Sequence, residues 1–133
     1  MMTIVENLII FHKDKDISKL SNDIQQVGFD HFYVICVKIL GWLQAERRRT
    51  LLLQEGRKVT YKPLRLNEGS SWSKSLEYIV NNDSEYKKYF AITDDGMIFN
   101  ENLPANEVEN ARIIAFEKYE PIVHILRRNG RAQ

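Results

Sequence analysis

Apolar residues recur along this chain at spacings that predict helices over most of its length, with strand signals in the middle. Ile4, Leu8 and Phe11 fall at i, i+4 and i+7 behind a Thr3-to-Glu6 capping pattern, which predicts a short helix to about Lys13. A strand is the alternative there, because Val5, Ile9 and Phe11 share parity. Asp16 is a good N-cap for the next helix. Ile17, Leu20, Ile24 and Val27 form its apolar stripe, and Gly28 suits the position just past its end. Asp30 caps a longer predicted helix that runs to about Glu55 and stops at Gly56. Its first half, Phe32 to Leu43, is apolar nearly all round, which implies a buried central element or a dimer seam. Gln44 to Arg49 is polar and Leu51 to Leu53 apolar again, so a bend is expected near Arg49–Thr50.

Lys58 to Leu66 alternates basic and apolar residues, the signature of a strand, and Pro63 confines that strand to a sheet edge. Trp72, Leu76 and Ile79 mark a helix ending near Asn81–Asn82, and Asp83–Ser84 caps one further turn through Lys88. Phe90 to Thr93 and Met97 to Phe99 flank Asp94–Asp95–Gly96, which reads as a β-hairpin whose turn positions take positive φ. After Pro104 a helix runs from about Asn106 toward Arg128. It kinks or restarts at Pro121, whose ring lacks a donor and clashes with the carbonyl of Glu117. Residues 129–133 are expected to fray. The fold class is α+β: a single helix-rich domain over 1–133, with a small antiparallel sheet (edge strand ~58–66, hairpin ~90–99) and a long C-terminal helix kinked at Pro121.

Composition narrows the setting. At 133 residues, 44% hydrophobic and 28% charged, the chain has one domain's length and ordinary globular values. The lone Cys36 lies in an apolar run, where a buried, inert thiol is expected and no internal disulfide can form. The longest apolar stretch is about a dozen residues and contains Lys38, well short of the ~20 needed to cross a bilayer. Met1 to Glu6 has neither a basic n-region nor a long apolar h-region. A soluble cytoplasmic protein with no membrane partner is the expectation.

Charge changes the picture more. Between Arg47 and Arg65 stand Arg47, Arg48, Arg49, Arg57, Lys58, Lys62 and Arg65 against the single acid Glu55, a local charge of +6. The whole chain carries only +1, so the remainder sums to −5. Segregation of this kind points to an anionic partner or to two oppositely charged parts of the protein meeting. These seven residues are the candidate partner-binding set. The aromatics Trp72, Tyr78 and Tyr86 form a second candidate interface, since Trp, Tyr and Arg are enriched at binding hot spots.

Catalytic signals are thin. His12, His31, His124 and Cys36 show no metal-ligand spacing, and the six glycines are scattered instead of forming a phosphate loop. No catalytic residue, metal or cofactor is therefore assigned. Glu85–Tyr86–Lys87, with Asp83, Asp94 and Asp95 nearby, has the short acid-and-lysine pattern of some metal-dependent nucleases, but on a helical turn where that chemistry uses a central strand. The order helix, strand, helix, short helix, hairpin resembles a winged helix with Asp94–Asp95–Gly96 at the wing tip. Two departures weigh against nucleic-acid binding: the recognition helix spans barely one and a half turns, and the tip is acidic. The chain reads as a small non-enzymatic binding protein of inhibitor, immunity or adaptor type that meets a protein partner through its basic surface. A winged-helix-like nucleic-acid-binding regulator using the same block is the alternative, a hydrolase or nuclease the third reading, and a homodimer is compatible with each.

Overall fold

A computed structural model describes residues 18–127. The predicted helix from Thr3 to Lys13, His12 and the tail at 129–133 lie outside them. Element order is α1 (Ser18–Val27), α2 (Phe29–Gln54), α3 (Ser71–Asn82), α4 (Ser84–Tyr89), β1 (Phe90–Thr93), β2 (Gly96–Phe99) and α5 (Ala105–Leu126), an α+β architecture with a long C-terminal helix.

Local chemistry sets most boundaries. α1 closes with the Gly28 amide donating to the Ile24 carbonyl at 2.8 Å. α2 ends in a Schellman motif: Gly56 takes φ +81°, its amide bonds the Leu53 carbonyl, and the Arg57 amide bonds that of Leu52, each at 3.0 Å. The helix is continuous through Arg49–Thr50, where the polarity pattern had suggested a bend. Ser70 caps α3, its hydroxyl accepting from the Ser73 amide at 3.3 Å, and Asp83 Oδ1 accepts from the Tyr86 amide at the start of α4. α5 passes through Pro121 as one helix and does not restart there.

The core forms around α2. Phe32, Ile35, Cys36, Ile39, Trp42 and Leu43 fall on one helical stripe, and all are buried. They meet Leu76, Ile79 and Val80 of α3 and Ala111, Ala115, Tyr119, Ile122 and Leu126 of α5. The apolar run at 32–43 is thus core and not a seam, but it is not buried all round. Lys38 and Gly41 face solvent. α2 and α5 run antiparallel, joined at one end by Arg127 Nε to Tyr33 Oη (3.4 Å) and toward the other by Arg112 Nη1 to Thr50 Oγ1 (3.2 Å).

The hairpin pairs Phe90 with Phe99 and Thr93 with Gly96, and docks on α2 through Trp42, whose ring stacks on Phe99 at 4.8 Å. The turn departs from expectation. Asp94 and Asp95 are its two residues, and no described residue other than glycine has positive φ. Thr93 Oγ1 holds the tip instead, accepting from the Asp95 amide at 3.2 Å and donating to the Gly96 carbonyl at 2.9 Å.

The edge strand expected over 58–66 is reduced to one bridge, Leu64 to Met97, with both backbone bonds at 2.9 Å. Side chains still alternate, with Lys58, Thr60 and Lys62 exposed and Val59, Tyr61 and Pro63 half-buried. The ladder stops because the next pair would use the Lys62 carbonyl and the Phe99 amide, and side chains take both. Trp42 Nε1 donates to the Lys62 carbonyl at 3.0 Å, and Tyr61 Oη accepts from the Phe99 amide at 3.4 Å. Pro63 beside them has no amide to offer.

Candidate functional site

Three successive arginines on a helix diverge, since each step turns about 100°. Arg47 leans toward α5, its guanidinium 5.6 Å from the Phe116 ring centre. Arg49 turns the other way, 5.0 Å over the Tyr61 ring. Arg48 projects into solvent. Arg57 stands 3.7 Å from Glu55 with both side chains largely in water, an ion pair of little energetic consequence. Lys58, Lys62 and Arg65 are exposed on the segment that follows.

Arg49 is committed to a buried acid. Glu46 is only 2% exposed and lies on the face of α2 turned toward residues 59–65. Its Oε2 lies 3.2 Å from Arg49 Nη2 and 3.4 Å from Arg112 Nη2, so two guanidinium groups share one carboxylate. Arg112 Nη1 also bonds Thr50 Oγ1 and Glu109 Oε2. This triad fastens α5 to α2 and removes Arg49 from the set of cations able to meet a partner.

What the structure brings together is a groove of about 510 Å³ between the outer face of α2 and residues 59–65. Trp42, Ala45, Val59, Pro63 and Leu64 make an apolar floor, and Lys38, Lys62 and Arg65 stand on its rim. Among the described residues none of these three cations has a carboxylate within ion-pair distance. The truncated ladder shapes the groove, because the Trp42–Lys62 bond holds the segment beside α2 while its basic side chains alternate outward. Lys38 was not in the sequence-derived set. Its signal is helical spacing: Lys38, Trp42 and Ala45 fall at i, i+4 and i+7, one face of α2.

Trp72 is half-buried beside this rim, with Lys38 Nζ 5.6 Å from its ring centre. Tyr78 is exposed on α3, its hydroxyl 3.5 Å from Gln26 Oε1. Tyr86 corrects the expected aromatic interface: it is 4% exposed and accepts a hydrogen bond from the Tyr119 hydroxyl in the core. The short helix α4 rolls Tyr86 inward against Phe90, leaving Lys87 and Lys88 outward. Of the described histidines, His31 Nδ1 lies 3.4 Å from Ser75 Oγ and His124 is exposed on α5, and Asp83 of the acid-and-lysine pattern caps α4.

Burial pushes the Cys36 thiol and the Tyr86 and Tyr119 phenols far up from their ordinary values. The folded chain therefore keeps protons that the unfolded chain releases above about pH 8.5 for the thiol and about pH 10 for the phenols. Their contribution to stability is complete below those values and falls as pH rises, by about 1.4 kcal/mol per unit for each group titrating only when unfolded. Urea midpoints at rising alkaline pH should decline accordingly, with Cys36→Ala removing the onset of the decline. A flat profile would contradict the burial of these three groups.

No helix among the described residues is long and apolar enough to cross a membrane. Comparison with protein-family models, curated proteins and solved structures found no match to the chain.

Proposed function

We propose that this chain is a small, non-enzymatic binding protein that takes an acidic, partly apolar segment of a protein partner into the groove between α2 and residues 59–65. The observation that carries the reading is the trio Lys38, Lys62 and Arg65, unneutralised among the described residues, around a floor that contains Trp42 and Leu64. A floor of this kind contributes affinity by desolvation, and the rim contributes orientation and association rate. A phosphate backbone would gain the charge contacts but leave the apolar floor unused.

A second reading, the nucleic-acid-binding regulator, draws support from the Leu64–Met97 bridge. It places the segment beside β2 and so resembles the strand order of a winged helix. Against it stand the six residues of α4 and the exposed Asp94 and Asp95 at the hairpin tip.

Immobilised protein exposed to nuclease-treated extract of its own cells, followed by anisotropy titration with acidic peptides from whatever is retained, tests the first reading. The K62E/R65E variant should bind such a peptide at least about tenfold more weakly, with its thermal transition unchanged. Equal binding by the variant would remove the groove from consideration. Generic duplex DNA binding that weakens steeply with salt, and is lost in the same variant, would favour the regulator.

A further inference from the structure

The opposite side of α2 carries a second surface. Five large apolar side chains are exposed among the described residues, and four of them, Leu51, Leu53, Ile113 and Ile114, lie on the C-terminal half of α2 and the N-terminal half of α5. Leu51 and Ile113 are 55% and 50% exposed. They border a groove of about 460 Å³ between the two helices, floored by Leu43 and Phe116. Leu53 and Ile114 border neighbouring clefts, so Leu51 and Ile113 over Leu43 and Phe116 make up the apolar patch of this groove, and an exposed apolar patch of this kind is a candidate interaction site.

Charge decides the occupant. Arg47 stands on the α2 side of this groove and Glu117 on the α5 side, and among the described residues they form no ion pair with each other. A cation on one rim and an anion on the other make the patch complementary to itself. A symmetric dimer requires that property, since one patch must serve both copies. We infer that the chain forms a two-fold homodimer in which this groove meets its own copy, with Leu51 and Ile113 at the centre. A two-fold axis along the groove lays α2 of each copy over α5 of the other, because the two helices flank the groove on opposite sides. Arg47 then meets Glu117 of the other copy, twice. The basic groove lies on the far side of α2, so both copies keep it open and the dimer is independent of the proposed function.

Sedimentation of the full chain up to about 100 μM tests the inference. Wild type should approach twice the monomer mass. Ile113→Asp should raise the dissociation constant about 30-fold or more while the helical circular-dichroism signal is kept, as expected for a central apolar contact at a solvent-accessible site. R47E and E117R should each weaken the dimer, and R47E/E117R should restore it, because the crossed pairs form again with reversed sign. A wild type that remains monomeric overturns the inference, whatever else covers the groove. So does a dimer indifferent to Ile113→Asp, or a double variant no stronger than its parents.

Discussion

Glu46→Ala should lower stability by about 3–5 kcal/mol, enough to bring the thermal midpoint down by about 10 °C in a chain of this size. The physical cause is the asymmetry of buried ion pairs. Arg49 and Arg112 both lean on the Glu46 carboxylate, and each guanidinium is mostly withdrawn from water. Removing the acid leaves two like charges facing each other, with Arg49 stripped of its anion and Arg112 left with only the half-exposed Glu109. A lone cation in that setting retains most of its desolvation cost and has lost the attraction that offset it. The pairing as a whole is worth far less than its disruption, so E46L combined with R49M and R112L should recover much of the loss. Urea unfolding of the single and triple variants measures both quantities. A single-variant loss under about 1 kcal/mol would mean that water screens the triad, as it does exposed pairs. The functional corollary is that α5 should loosen from α2 in Glu46→Ala, weakening the surface on which the dimer depends.

Gly96→Val should cost about 3 kcal/mol or more and detach residues 59–65 from the hairpin. Two independent constraints act at this position. Its φ of +130° is a region that residues with a Cβ rarely enter, and a Cβ built there would sit 2.3 Å from the Leu64 carbonyl oxygen. The obstacle is backbone, so no rotamer change relieves it. The segment must move, which breaks the Leu64–Met97 bridge and carries Lys62 and Arg65 away from α2. Gly41→Ala is the matched control. Gly41 lies in a helix with ordinary φ and nothing within 4 Å of the added carbon, so alanine there should stabilise by about 0.5–1 kcal/mol. Hydrogen exchange at the Leu64 and Met97 amides should accelerate in the valine variant and not in the alanine one. Unchanged protection in Gly96→Val would mean that the bridge does not hold the groove's far wall.

The helices were legible in the sequence because their information is local. An apolar stripe of period 3.6 specifies α1, α2 and α3 within a few residues, and a glycine past the end marks the close of α1 and α2, but the Asp30 cap expected for α2 is not made, because that helix already begins at Phe29 behind Gly28. The hairpin was legible for a related reason, two apolar runs separated by turn residues, although Thr93 proved to organise the tip where positive φ had been expected. The strand at 58–66 misled because alternation reports which side chains face water and not which backbone groups find partners. Trp42, twenty residues away, takes the Lys62 carbonyl, and no pattern within the segment announces it.

The basic block teaches the same lesson about sites. Seven cations in nineteen positions are a property of the sequence, but their directions are not. Two residues, about 200° of helix, separate Arg47, beside Phe116, from Arg49, beside Glu46 and Tyr61. Lys38 joined the groove from outside the block, and Tyr86 left the presumed interface for the core.

By itself, then, the amino-acid order determined the helices and the hairpin among the described residues, an α+β class and a strong segregation of charge. Those follow from short-range periodicity, capping chemistry and composition. Only the tertiary arrangement decided which cations remain available, where a groove opens and which apolar residues are left in water. Each of those outcomes depends on contacts between residues tens of positions apart, such as Glu46 with Arg112 and Leu64 with Met97, whose energies exist only once the chain has packed.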